Sequence, residues 1–162
     1  MIDYRAVAPD DPSAHALLTE YFTGRELSFP SAQGQYRTTY PDPAAFVGDR
    51  GVFLVVHDDE LGDVGCGGIR MLDAARAEVK HLYLQPRTRG RGLGRALLTE
   101  LERRAAADFG ARESVLDTNA SLEAAGGLYA AAGYVGIPPY NDNPNATNWY
   151  AKALTSSGDA DS

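Results

Sequence analysis

Ile2, Tyr4 and Ala6 alternate with polar residues, a period of two that predicts a strand over residues 2–7, closed by Pro9. The period then lengthens. Ala14, Leu17, Leu18, Tyr21 and Phe22 recur at helical spacing behind Asp11 and Pro12, which predicts a helix with an aspartate cap, proline at its first position and Gly24 as its stop. Residues 25–41 hold Phe29, Pro30, Gly34, Tyr36, Tyr40 and Pro41 without a clear period and read as irregular or partly helical. Asp42 and Pro43 repeat the cap signal before Ala44, Ala45 and Phe46, predicting a short second helix.

VFLVVH at residues 52–57 is apolar until its last residue, the pattern of a central strand covered on both faces. Val64–Met71 and Ala77–Leu84 follow as strands, and the short connections predict an antiparallel meander. Gly65, Gly67 and Gly68 in its middle strand predict a bulge or a close approach by another group. Leu93, Leu97, Leu101 and Ala105, flanked by Ala96, Leu98 and Arg104, mark a long amphipathic helix ending near Gly110.

The remaining pattern predicts a strand at 114–117, a helix capped by Ser121 that reaches Ala132, and Gly133 as its left-handed stop. A strand at 134–137, the turn-rich loop PPYNDNPNATN and a last strand at 149–154 follow, with Trp149, Tyr150 and Leu154 as core residues on alternate faces. TSSGDADS, residues 155–162, has the composition of a disordered tail. No repeat or linker divides residues 1–154, which are expected to form one domain.

Length agrees: a chain of 162 residues buries roughly 68–70% of its unfolded surface without a staple. The single Cys66 cannot close an internal disulfide and reads as a small buried hydrophobe, and no charged-then-apolar leader opens the chain, so a cytoplasmic location is expected. No apolar run approaches the ~20 residues of a membrane span. His15 and His57 share no metal-ligand spacing with Cys66, so no metal is expected. A net charge of -7 disfavours nucleic acid, against which the local cations Arg87, Arg89, Arg91 and Arg95 suit a small polyanion or a solvated helix entrance.

Those arginines lie in AEVKHLYLQPRTRGRGLGRALL, residues 77–98, where a strand, a glycine-rich turn and a helix succeed one another. Such a turn presents backbone N–H groups at a positive helix end, the chemistry that holds a pyrophosphate. A dinucleotide fingerprint requires glycine where Arg95 stands, and a P-loop requires Gly-Lys-Ser/Thr, so neither fits. Arg89-Gly90-Arg91-Gly92-Leu93-Gly94 instead matches R-x-x-G-x-G, and Leu128 and Tyr129 precede Gly133 and Tyr134. On these two elements the chain resembles the GNAT superfamily of N-acetyltransferases, from its first strand to Leu154.

The resemblance implies an α/β (α+β) fold: a central mixed, mostly antiparallel sheet of six to seven strands, helices on both faces, and a splayed strand pair forming the acetyl-CoA cleft. It implies that backbone groups of Leu82, Tyr83 and Leu84 hold the pantetheine arm, and that N–H groups over Gly90, Arg91, Gly92, Leu93, Gly94 and Arg95 hold the pyrophosphate, with Arg89 and Arg95 adding charge. Members often carry Asn where this chain has Leu122, and Asn119, at the preceding strand exit, stands nearest to replace its contact with the arm. A backbone N–H near Leu84 would serve the oxyanion. Tyr129 matches the general acid for the departing thiolate, its alternative being an apolar helix anchor. Glu78 matches a carboxylate that deprotonates the amine, directly or through water, with a half-exposed strand Glu paired to an Arg as the alternative. His81 is a rival base or a packing residue.

The expected function is transfer of an acetyl group to a primary amine by direct attack in a ternary complex. Residues 25–41 and 136–148, with Arg25, Arg37, Tyr36, Tyr40, Tyr140, Asp142 and several Asn, suit a small polar amine, with or without its own carboxylate, over a protein amine, and the acidic balance of the chain leaves a cationic amine open. A non-catalytic acyl-CoA sensor, and transfer to oxygen or of a longer acyl group, stay open. Family members often dimerise through their last strands, which makes a homodimer an expectation of the resemblance.

Overall fold

The alternating start of the chain forms β1 (Ile2–Ala6), and the helical period after it forms α1 (Pro12–Ser28). Asp11 accepts a hydrogen bond from the Ser13 amide at 3.1 Å, and Pro12 takes the first turn, as the cap signal predicts. Gly24 does not stop this helix. Burial of Phe22 and Arg25 along its inner face outweighs the roughly 0.5–1 kcal/mol that an interior glycine costs. The helix ends at Phe29, whose extended backbone (φ -69°, ψ 129°) is the conformation that a following proline favours. Residues 31–33 and 43–46 form single 3-10 turns, the second capped by Asp42 on the Ala44 amide at 3.0 Å.

The computed structural model describes residues 1–155. Its further elements are β2 (Gly51–Asp58), β3 (Gly62–Met71), β4 (Arg76–Leu84), α2 (Leu93–Phe109), β5 (Glu113–Thr118), α3 (Glu123–Ala131), β6 (Val135–Ile137) and β7 (Asn148–Ala153). The seven strands make one sheet in the order β1-β2-β3-β4-β5-β7-β6. Only the β4–β5 pair is parallel, so the sheet is mixed and mostly antiparallel.

Alternation along β2 founds both cores. Leu54 and Val56 join Leu97, Leu98 and Leu101 of α2 on one face, where Tyr129 of α3 also packs. Phe53 and Val55 join Leu17, Leu18 and Phe22 of α1 on the other, together with Cys66. Register shifts bracket the glycines of β3 on both of its edges. Opposite Gly67 the extra residue lies on β4, where Cys66 pairs with Tyr83 but Gly68 pairs with Lys80. Close approach operates too: a Cβ on Gly68 would stand 2.8 Å from ring carbons of Phe46 and Phe53.

Two further expectations need correction. Ser121 does not cap α3: Leu122 occupies the cap position without a side-chain bond, because Asn119 Oδ1 accepts the Ser121 amide at 2.9 Å and turns the chain first. In β7 the fully covered residue is Ala151, while Trp149, Tyr150 and Leu154 are only half-buried. Trp149 lies under the β6–β7 loop, donating its indole N–H to Asn141 Oδ1 at 2.9 Å. The expectation of a disordered tail falls almost wholly on residues 156–162, outside the described residues.

Candidate active site

β4 has two unlike edges. Its antiparallel pairing with β3 runs as far as Leu84, whereas its parallel pairing with β5 covers only Arg76, Ala77 and Glu78, opposite Glu113, Ser114 and Val115. Beyond that point β5 continues against β7 alone. The segment from Val79 to Leu84, including Leu82 and Tyr83, therefore shows an unpaired backbone edge to a cleft, the expected splay.

The glycine turn stands at the end of this edge. A 3-10 turn (Pro86–Thr88) leads into it, locked by Thr88 Oγ1 donating to the Gln85 carbonyl at 2.7 Å. Arg87 is taken up structurally, donating to the Leu61 carbonyl and to Gln85 Oε1, each at 2.8 Å. Arg89, Arg91 and Arg95 are exposed and have no acidic partner within salt-bridge distance among the described residues. Gly92, at φ 73°, occupies the cap of α2 in the left-handed region that favours glycine. Its carbonyl accepts the Ala96 amide at 3.1 Å, the first bond of the helix. Amides over residues 90–95 thus lie upstream of the helical ladder, free to meet an anion. Gly94 stands inside the first turn, 3.6 Å as a hypothetical Cβ from Leu128 of α3.

A cavity of about 610 Å³ opens beside β4, walled by α1 and the segment after it, by β3 and β4, by the end of β5, by α3 and by residues 143–146. Tyr129 lines it and is buried, with the rings of Tyr134 and Tyr150 at 5.8 and 6.4 Å. Burial pushes its hydroxyl well above the ordinary tyrosine range, so it is protonated at neutral pH and able to donate.

His81 also lines the cavity, at the β4 bulge with φ 57°. Burial, reinforced by the charges of Lys80 and Arg70, pushes its imidazole down to about 3. It is neutral at physiological pH and packs edge-on against Tyr21 and Phe22, with centroids at 6.1 and 5.6 Å.

Glu78 is fully buried rather than half-exposed. Its Oε1 accepts from Arg70 Nε at 2.7 Å, the cross-strand partner, and its Oε2 accepts from the Tyr140 hydroxyl at 2.6 Å and from Asn141 Nδ2 at 3.4 Å. Asn141 also donates to Asp117 Oδ2 at 2.7 Å, and Lys80 Nζ reaches Asp117 Oδ1 at 3.5 Å. Arg70, Lys80 and Asp117 face the cavity, and Glu78 stands behind them. An arginine partner for Glu78 and a place for Tyr140 near the acceptor are expected from the sequence, whereas Arg70 as that arginine, and Lys80, Asp117 and Asn141 in one network with them, escape it. The only available signal is the same-face alternation of Glu78 with Lys80, whose partners depend on strand register.

Asn119 is buried, and its polar atoms are occupied: Nδ2 donates to Gln33 Oε1 at 2.7 Å and to the Asn145 carbonyl at 3.1 Å, while Oδ1 holds Ser121. It ties the cavity walls together.

Among the described residues, no helix is long and apolar enough to cross a membrane. The sequence matches the Acetyltransferase (GNAT) family over residues 12–134. It is 33% identical over 95 residues to an uncharacterised N-acetyltransferase of Schizosaccharomyces pombe, a match that covers 58% of this chain and 58% of that relative's length. The fold superposes on an acyl-CoA N-acyltransferase assignment from Klebsiella pneumoniae subsp. pneumoniae with a TM-score of 0.77 and 25% identity, over 96% of this chain and 99% of that one. A GNAT superfamily phosphinothricin acetyltransferase from Sinorhizobium meliloti, solved in complex with acetyl-CoA, shares the fold at a TM-score of 0.64 and 19% identity, over 97% and 91% of the two chains.

Proposed function

We propose that this chain, which belongs to the acetyltransferase (GNAT) family, transfers an acetyl group from acetyl-CoA to the primary amine of a small molecule, by direct attack in a ternary complex. The observation that carries the reading is the junction of three features on β4: an unpaired edge from Val79 to Leu84, the glycine turn at the end of that edge, and the cavity containing Tyr129 beside it. Acetyl-CoA supplies the acyl group as an activated thioester.

Each residue then has a defined task. Backbone groups of Leu82, Tyr83 and Leu84 pair with the amide-bearing arm as a sheet edge pairs with a strand. Amides over Gly90–Arg95 bind the pyrophosphate, with Arg89 and Arg95 adding charge-assisted contacts. A backbone N–H near Leu84 stabilises negative charge on the carbonyl oxygen. Tyr129, held neutral by burial, gives its proton to the departing sulfur. Glu78, the expected base, is sealed behind Arg70 and Tyr140 with both carboxylate oxygens engaged, so it fixes Arg70 at the cavity wall and the amine loses its proton to water in the cavity.

Calorimetric titration with acetyl-CoA tests the cosubstrate, and thiol release across a broad amine panel tests turnover. Micromolar binding with release by at least one amine is expected. Folded protein that fails to bind below millimolar concentration would sink the proposal, and tight binding with no release from any amine would make the chain a sensor of acyl-CoA.

A further inference from the structure

Among the described residues, Arg25 is the one side chain with buried polar atoms that lack a hydrogen-bond partner. Its side chain is 7% exposed and lines the cavity, yet its Nε and Nη1 are buried with no hydrogen-bond partner. The guanidinium carbon stacks 4.8 Å from the Tyr36 ring centroid and 5.8 Å from that of Phe29, which hold its plane without satisfying Nε and Nη1. Buried guanidinium N–H groups without partners are costly to maintain, and an anionic oxygen, such as that of a carboxylate, is the acceptor that compensates both the charge and a missing hydrogen bond.

The surrounding charge points the same way. Arg25, Arg37, Arg70 and Lys80 line the cavity against Asp42 and Asp117. Arg70 is paired with Glu78, Lys80 is paired with Asp117, and Asp42 is engaged in capping Ala44. Arg25 and Arg37 are left without an acidic partner among the described residues. A chain of net charge -7 has thus kept a cationic pocket on its own surface.

From this geometry we infer that the acceptor is an amine that also bears a carboxylate, as an amino acid does, and that Arg25 is the residue that binds this carboxylate. The inference rests on the acetyltransferase reading above. Tyr36 orients the guanidinium, Arg37 adds charge, and the carboxylate anchors the acceptor while its amine faces the thioester. A cationic polyamine, by contrast, would meet uncompensated positive charge at the same place.

The test compares each proteinogenic L-amino acid with its own primary carboxamide, a pair that keeps the amine and removes the anion. Aminoalkylphosphonates serve as a third arm, separating a carboxylate site from a general oxyanion site. Two readouts are taken on the full chain: thiol release with acetyl-CoA, and calorimetric binding in the presence of CoA, which needs no turnover. At least one acid should exceed its carboxamide by about a hundredfold in kcat/KM or affinity. Arg25→Gln should reduce that ratio to about threefold while leaving acetyl-CoA affinity unchanged. If that variant fails to fold, Arg25→Lys, which keeps charge but loses the planar guanidinium and its donors, should cut the ratio about tenfold. Carboxamides or simple amines that equal or surpass the acids in every pair would overturn the inference, as would an acid preference that survives Arg25→Gln. So would phosphonates preferred throughout. Acetyl-CoA that does not bind at all would fail the acetyltransferase reading instead, and the same calorimetric comparison of acid with carboxamide, repeated without CoA, would still decide the role of Arg25.

Discussion

Tyr140 donates its hydroxyl hydrogen to Glu78 Oε2 across 2.6 Å, joining the loop after β6 to the first half of the central strand β4. The carboxylate it meets is wholly buried, and the charge of Glu78 is shared among Arg70, Tyr140 and Asn141. Removing the hydroxyl therefore removes a bond to a charged, desolvated group, and Tyr140→Phe should destabilise the protein by about 1.5–3 kcal/mol. Urea unfolding at neutral pH measures this directly. Stability equal to that of the parent protein would mean that the loop does not depend on Glu78.

Tyr129→Phe separates catalysis from binding. Loss of a proton donor to the departing sulfur should lower kcat by about a hundredfold or more, while the acetyl-CoA dissociation constant stays within about threefold because the backbone contacts of β4 do not involve the hydroxyl. Single-turnover and calorimetric measurements on the same preparation give both numbers. Equal turnover in the two proteins would remove Tyr129 from the general-acid role and leave it as a packing residue of α3.

Protonation of His81 couples folding to pH. Its pKa in the fold is about 3 against an ordinary 6.5, so between those values the unfolded chain binds the extra proton. The contribution is fully present above about 6.5 and is lost as pH falls toward 3, at up to about 1.4 kcal/mol per pH unit. His81→Asn keeps a residue that tolerates the positive φ of 57° and removes the titration. Denaturant unfolding across the acid range should show a shallower decline in the variant, and identical slopes would contradict the burial of a neutral imidazole.

At the glycine turn, Gly92→Ala places a Cβ on a left-handed residue at φ 73°, a strain of roughly 1–2 kcal/mol. The turn should relax away from the geometry that aims its amides, raising the acetyl-CoA dissociation constant by about tenfold or more. Titration calorimetry would show it. Unchanged affinity would mean that the pyrophosphate is held by the side chains of Arg89 and Arg95 and not by the backbone.

Much of the architecture was legible in residue order because it depends on local chemistry. Periods of two and 3.6 separate strands from helices, Asp11-Pro12 and Asp42-Pro43 announce their turns, and the alternating glycines after Leu84 announce a helix entrance. The element boundaries that went astray were decided by packing: α1 ran through Gly24 because its inner face was buried, and α3 began after Ser121 because Asn119 had already claimed the Ser121 amide.

The acceptor side could not be read the same way, since its chemistry is made by residues far apart in the chain. Arg70 meets Glu78 through strand register, Tyr140 and Asn141 reach them from a loop, and Arg25 is buried beside Tyr36 with two donors unanswered. By itself the sequence determined the strand, glycine turn and helix that make the proposed pyrophosphate site, because backbone conformation there follows from adjacent residues. Only the tertiary structure decided that Glu78 is sealed, that His81 is neutral and that Arg25, expected at the acceptor wall, is buried there with two donors unanswered, because burial and pairing are set by what the whole fold brings against each side chain.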